Sequence, residues 1–245
     1  MNSEKNSKGR RVRKPLFYNF CYDFVKVTGA LPTLLWLRPR VYRPYGTRTP
    51  RGGVLVSANH STFIDPIIMH LAFPTRRMYS LATKDLFNTR AKEAFFKQMH
   101  CIMVDKDNFA ISSFRDVVSR LEDGRMVVIF PEGSVDLRAS ESVRAFKSGA
   151  VLMAYKASAP ILPVYIVRRE RWYQRQRIVI GEPFDVRAAV GDMPTLDQLN
   201  AASEELRRRE IALSEYFKSL PISRRLRKSK NKTVPKEEEK YEQQV

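Results

Sequence analysis

The sequence predicts an α/β fold: a single domain with a mixed, partly parallel sheet flanked by helices, preceded by an N-terminal helical segment. Three observations predict it. Short apolar runs alternate with helix-length segments along the middle of the chain, as strands joined by crossover helices do. Two of those runs, VLVSA (54–58) and MVVIF (126–130), end in polar loops, Asn59-His60 and Pro131-Glu132-Gly133-Ser134. Open α/β sheets keep their ligand crevices at such strand ends. Finally, 43% of the 245 residues are hydrophobic, enough for a core of one large or two small domains.

Taken in order, residues 1–15 are polar and basic and read as a disordered tail. They lack the apolar core and small-residue cleavage site of a secretory signal. Residues 16–48 read as a membrane-associating helical segment. Within it, LFYNFCYDFVKVTGALPTLLWL (16–37) is aromatic and apolar, but Asp23, Lys26, Gly29 and Pro32 interrupt it. A spanning helix needs about 20 predominantly apolar residues, so two short helices broken near Gly29–Pro32 are expected. Trp36, Tyr42 and Tyr45 with Arg38, Arg40 and Arg43 resemble an interfacial belt. A helix packed on the protein's own core is the alternative.

Residues 49–220 form the main domain. After the strand at 54–58, PIIMHLAF from Pro66 is a helix. MYSLAT (78–83) is a strand and 89–99 a helix; CIMV (101–104) is a strand and 108–124 a helix capped by Gly124. MVVIF is a buried strand, 140–158 is mostly helical, and 161–167 and 177–184 are strands. The last helix, 195–220, opens on a Thr195/Gln198 capping box. It turns Leu199, Ala202, Leu206, Leu213, Tyr216 and Leu220 to one face and Arg207, Arg208 and Arg209 mostly away. Residues 221–245 are a charged tail. Its SRRLRKSKNK run (223–232) suits anionic lipid, and its acidic end reads as disordered.

The net charge of +18 is concentrated near the ends. Residues 1–64 carry twelve Lys/Arg against two acids, and residues 206–232 carry ten against two. Both point to an anionic partner, nucleic acid or phospholipid headgroups. A basic nucleic-acid-binding protein is the reading from another class, but no helix-turn-helix, zinc or RNA-recognition signature accompanies the charge. Cys21 and Cys101 give neither a disulfide framework nor zinc spacing. The three histidines form no metal cluster with them, and His70 and His100 read as helix-surface residues.

His60 and Asp65 lie five residues apart. On an ideal helix they would point about 140° apart, so they meet only if the intervening residues turn. Pro66 favours that turn, because a residue before proline is driven out of the helical region. Proline also suits a helix's first position, with Asp65 as its cap. Two readings stay open on these residues alone. One is a His–Asp pair whose carboxylate fixes the imidazole tautomer for proton transfer. The other is a helix cap beside an ordinary loop histidine.

Four segments then resemble, in order, the boxes of the PlsC-like glycerolipid acyltransferases. NHSTFID (59–65) resembles their Asn-His-x4-Asp box, and CIMVDKDN (101–108) the second box, an apolar strand ending in a basic residue. FPEGS (130–134), with AFKSGA (145–150) after it, resembles the Phe-Pro-Glu-Gly-Thr box and its trailing Phe-Lys-x-Gly. APILPVYI (159–166) resembles the fourth box. The resemblance covers roughly residues 50–185 and implies a glycerol-3-phosphate acyltransferase-like fold.

The resemblance implies an O-acyltransferase. It would move an acyl group from acyl-CoA or acyl carrier protein to the free hydroxyl of a lysophospholipid, with 1-acyl-sn-glycerol-3-phosphate as the first-choice acceptor. His60 would be the general base, oriented by Asp65, with no acyl-enzyme. Asn59, Lys106, Glu132, Gly133, Ser134, Arg138 and Lys147 would hold substrate, and no cofactor or metal would be bound. An anionic membrane would be the partner surface, on its cytoplasmic face. The sequence departs from the pattern at Lys106, where the second box usually has arginine. It departs again at Ser134 and Val135, which replace the third box's threonine and arginine. Those departures keep a non-phosphate acceptor, such as an aminolipid, as the alternative.

Overall fold

The computed structural model describes residues 3–5, 11–13, 16–104, 111–133 and 145–221. At its start β1 (Ser3–Lys5) pairs antiparallel with β2 (Arg11–Arg13), a short ladder where a disordered tail was expected. Next comes α1 (Leu16–Leu37), one continuous helix of 22 residues rather than two short ones. Pro32 lies inside it and leaves the Thr28 carbonyl without a helical N–H. The helix survives because that stretch is exposed, so water can replace the missing donor, and because the Thr33 hydroxyl bonds back to the Gly29 and Ala30 carbonyls. Among the described residues no helix is long and apolar enough to cross a membrane.

One stripe of α1 is docked. The Tyr22 hydroxyl accepts the Met78 N–H at 3.1 Å, and Lys26 Nζ donates to the Arg76 carbonyl at 2.8 Å. Arg77 grips both oxygens of Asp23, at 3.0 and 2.5 Å. Burial pushes the Tyr22 hydroxyl up to about 12. The other stripe, Phe20, Phe24, Val27, Leu31 and Leu35, recurs every three or four residues and stands exposed.

The main domain follows as β3 (Arg40–Tyr42), β4 (Val54–Ala58), α2 (Asp65–Ala72), β5 (Met78–Thr83), α3 (Arg90–Gln98), β6 (Cys101–Val104) and α4 (Ile111–Glu122). Then come β7 (Met126–Ile129), α5 (Gly149–Lys156), β8 (Ile161–Val167), β9 (Arg177–Ile180), α6 (Val186–Val190) and α7 (Leu196–Ser219). The seven strands from β3 to β9 form one sheet in the order β3-β9-β8-β4-β7-β5-β6. Every neighbouring pair is parallel except β8 and β9.

All five residues of β4 are buried, as a central strand covered on both faces requires. Val54, Val56 and Ala58 pack with Ile68 and Met69 of α2. On the opposite face Leu55 packs with Val117 and Leu121 of α4 and Val151 of α5. The second half of α7 closes the β3–β9 edge, setting Leu213 and Phe217 on Val179 and Tyr42. Its Thr195/Gln198 capping box is formed, and α4 ends at Gly124 with φ 75°.

Several expectations are corrected. Arg40 and Tyr42 are not interfacial: they are buried in β3, in register with Arg177 and Val179. Arg43 folds back on its own turn, donating to the Thr47 carbonyl and the Thr49 hydroxyl. Of the expected belt, Trp36, Arg38 and Tyr45 stay exposed. His100 is 2% exposed and lies between the rings of Tyr22 and Tyr79, with centroids 4.4 and 4.6 Å away. His70 is half-buried on α2. Its Nδ1 lies 2.7 Å from the Pro66 carbonyl, and burial pushes the imidazole down. The strand expected at 177–184 stops at Ile180, after which Asp185 caps the short α6 through the Ala188 N–H.

Candidate active site

Parallel strands bring their carboxyl ends to one edge of the sheet, and three loops gather there. These are residues 59–64 after β4, residues 130–133 after β7, and residues 168–176 joining β8 to β9.

The β4 loop is built around Asp65, which is fully buried. Its Oδ2 accepts the N–H groups of Ser61 and Thr62 at 2.7 Å each and lies 2.9 Å from His60 Nδ1. Its Oδ1 accepts the Thr62 hydroxyl at 2.5 Å. The helix-cap alternative is therefore wrong. Asp65 is the first residue of α2, Ile64 holds the cap position without a side-chain bond, and the carboxylate faces backward into the loop. A carboxylate only accepts, so the shared proton belongs on Nδ1 and leaves Nε2 of the neutral ring as an acceptor. The imidazole is 16% exposed and stacks on Phe130 at 4.1 Å and 19°. Nδ1, ring plane and tautomer are all set by neighbours.

Asn59, expected among the substrate contacts, has both ends of its amide tied to β8. Its side-chain nitrogen donates to the Ile166 carbonyl at 3.1 Å, and its oxygen accepts the Ile166 N–H at 2.7 Å. That amide fastens the end of β4 to β8. In the β7 loop, Gly133 adopts φ 73°, which an L side chain rarely accepts. The Lys147 side chain crosses it, with Cε and Nζ 3.4 and 3.5 Å from where a Cβ would stand. The structure thus brings Lys147 against Gly133, in the loop whose Phe130 stacks on His60. The Gly133 N–H does not face the crevice as an open donor; it closes a turn onto the Phe130 carbonyl at 3.0 Å. Lys106, Ser134 and Arg138 lie outside the described residues.

Two features escaped the sequence reading. Glu210 of α7 is fully buried and accepts the Ser57 hydroxyl at 2.5 Å, just below the catalytic-type loop. Burial pushes its carboxyl well above the ordinary glutamate range; the Ser57 bond pulls it back, and the charge of nearby Glu132 adds to the rise. The signal was available, since Leu206, Glu210, Leu213 and Phe217 share one helical face. The second feature is the β8–β9 loop. It carries Arg168, Arg169 and Arg171 to a cavity of about 100 Å³ bounded on its other side by Ser61, Thr62 and Asp65.

The acyltransferase family model matches residues 40–167, just over half of the chain. The chain is similar to a 1-acyl-sn-glycerol-3-phosphate acyltransferase of Bacillus subtilis, at 29% identity over 198 residues, 78% of this chain and 94% of the relative. It is also similar to a probable 1-acyl-sn-glycerol-3-phosphate acyltransferase of Mycoplasma pneumoniae, at 32% identity over 48% of this chain and 46% of that one. Its fold is like that of the solved 1-acyl-sn-glycerophosphate acyltransferase PlsC of Thermotoga maritima, with a TM-score of 0.58 and 20% identity over 83% of this chain and 82% of that one. The chain belongs to the acyltransferase family, the PlsC-like group that its four boxes resemble. It is an enzyme of acyl transfer.

Proposed function

We propose that the protein acylates the free hydroxyl of a lysophospholipid, with 1-acyl-sn-glycerol-3-phosphate as acceptor, phosphatidic acid as product, and acyl-CoA or acyl carrier protein as donor. The observation that carries this reading is the His60–Asp65 pair, with Nδ1 committed to a buried carboxylate. His60 Nε2 takes the acceptor's hydroxyl proton as the oxygen attacks the thioester carbonyl. The tetrahedral intermediate then expels the thiolate, and the imidazolium returns the proton to it. The thioester is already activated, so no acyl-enzyme is required. General-base help of this kind is worth about 10²–10⁴ in rate. Lys147, Glu132 and Gly133 line the acceptor side, with Lys106, Ser134 and Arg138 as further candidates from the same boxes. The named activities of the Bacillus, Mycoplasma and Thermotoga relatives favour the phosphate-bearing acceptor. Val135, where the family has arginine, is the main observation favouring a non-phosphate acceptor.

The enzyme would meet its acceptor on the cytoplasmic face of an anionic membrane, held by the exposed stripe of α1 and the basic ends. The docked stripe fixes that face outward, and burying its side chains in lipid supplies about 25 cal/mol per Å². The test is transfer of labelled acyl groups by the full-length protein to lysophosphatidate, monoacylglycerol and lysophospholipids with amine headgroups, in mixed micelles. Preference for lysophosphatidate is expected. Transfer to none of them by folded protein would sink the acceptor class. Vesicle flotation of a Phe24→Ser/Leu31→Ser double variant should show weakened membrane binding at an unchanged melting temperature.

A further inference from the structure

The β8–β9 loop reads RRERWYQRQ from 168 to 176, four arginines against one glutamate, at the same sheet edge as His60. Its backbone is fixed by α1. The Gln176 N–H donates to the Leu37 carbonyl at 2.7 Å, Arg38 donates to the Tyr173 carbonyl, and the Arg169 guanidinium lies 5.0 Å from the centre of the Trp36 ring. Within the loop, Arg169 Nη1 donates to the Trp172 carbonyl at 3.0 Å, and the Glu170 N–H bonds the Gln174 side chain at 3.1 Å. Neither Arg169 nor Arg171 pairs with a carboxylate among the described residues.

This ordered basic loop walls a cavity of about 100 Å³ whose opposite wall is the turn carrying Asp65. The cavity's lining by three arginines with Ser61, Thr62 and Gln176 suits a phosphate group rather than an acyl chain. The Ser61 hydroxyl, in that wall, is buried and has no hydrogen-bond partner among the described residues. Meanwhile Lys147, the one acceptor-side cation within the described residues, lies on the other flank of His60, across Gly133. The third box carries Val135 in place of its arginine. Guanidinium forks match phosphate oxygens two at a time, which a lysine cannot do.

We infer that Arg168 and Arg171, with the Ser61 hydroxyl, form a phosphate subsite on the β8 flank of the catalytic loop. Arg169 positions it by holding the loop against Trp36. The ligand group is a phosphate ester, carried either by the acceptor lipid or by the phosphopantetheine-type donor. The inference rests on the acyl-transfer reading above but does not depend on which acceptor that reading names.

The test uses the full-length protein and its Arg168→Gln/Arg171→Gln variant, both side chains being exposed so that folding is retained, as melting curves will check. Binding of inorganic phosphate and of glycerol 3-phosphate is measured by calorimetry without turnover. Affinity should fall about tenfold per arginine removed, and Lys at both positions should restore part of it. Steady-state kinetics then separate the sources. A rise in KM for lysophosphatidate, with KM for the acyl donor within about twofold, assigns the subsite to the acceptor. A rise confined to the donor's KM assigns it to the donor's phosphates. Equal phosphate binding by both proteins would overturn the inference even if transfer to lysophosphatidate stands. Conversely, phosphate binding lost in the variant upholds it even if lysophosphatidate proves the wrong acceptor.

Discussion

Two carboxyl groups flank β4, both fully buried and held in opposite ways. Asp65, beyond the strand's end, receives two backbone N–H groups, one hydroxyl and the His60 imidazole. Glu210, below the strand, has the Ser57 hydroxyl on one oxygen, and its Oε2 has no hydrogen-bond partner among the described residues. Burial pushes the Glu210 carboxyl well above the ordinary glutamate range, which favours its protonated form. A buried carboxylate persists where donors replace water, and a carboxyl without them keeps its proton instead. The fold concentrates donors on Asp65, beside the imidazole, and gives Glu210 a single hydroxyl. The contrast separates what serves chemistry from what serves packing.

The largest effect should come from breaking the donor-rich side. His60→Ala removes the proposed base and should lower kcat by about 10²–10⁴ or more with little change in melting temperature. Asp65→Asn tests the carboxylate's charge apart from its hydrogen bonds. An amide oxygen can still accept from Ser61, Thr62 and His60, and the Thr62 hydroxyl can turn to accept from the new NH₂. Activity should fall nearly as far while the fold persists. Asp65→Ala should also destabilise, by about 1–3 kcal/mol for each buried donor left unpaired. If Asp65→Asn retained full activity, the orienting role would be wrong.

Glu210 should behave oppositely. Glu210→Gln keeps the shape and can accept from Ser57, so at neutral pH it should leave stability equal or higher; Glu210→Ala opens a cavity and should cost about 2 kcal/mol. The pH dependence is sharper. A folded-state pKa raised above the unfolded value means that the native state binds the extra proton between the two. The stabilisation is complete below the unfolded glutamate value and is lost as pH climbs toward the raised one. Denaturant melts across that window should show a falling slope in the wild type and a flatter one in Glu210→Gln. Equal slopes would mean that Glu210 titrates elsewhere.

The sequence made the His60–Asp65 pairing legible because the constraint is local: five residues, a proline and a strand end determine it. The strands of the sheet other than β3 were legible from apolar runs for the same reason. Glu210 is different, since its burial depends on α7 crossing Ser57 from 153 positions away. The tie from Asn59 to β8 was out of reach for the same reason, because its partner, the Ile166 backbone, belongs to a strand 107 positions on. The Arg40–Tyr42 segment deceived for a related reason. Aromatic and basic residues look interfacial until β9 supplies a ladder beside them. Pro32 suggested a break, but an exposed helix can lose one hydrogen bond and continue.

The smallest expected effect sharpens the comparison from outside. Asp23 is also gripped, by both nitrogens of an Arg77 fork at 3.0 and 2.5 Å, yet its side chain is 45% exposed. Its hydrogen bond to Arg77 lowers its carboxyl below the ordinary aspartate value. The sign is therefore opposite to that of Glu210: the contribution is present above the unfolded value and lost as pH falls through the folded one. Because water and salt screen an exposed pair, Asp23→Asn should cost no more than about 0.2–1 kcal/mol at neutral pH. It should cost less in high salt and nothing in acid, where the wild-type carboxyl is protonated too. Urea melts of the wild type and Asp23→Asn at neutral and acid pH, each at low and high salt, read all three. A loss of several kcal/mol that salt does not touch would mean that α1 depends on this pair as the β4 loop depends on Asp65. The boundary between buried and exposed carboxylates would then be misplaced.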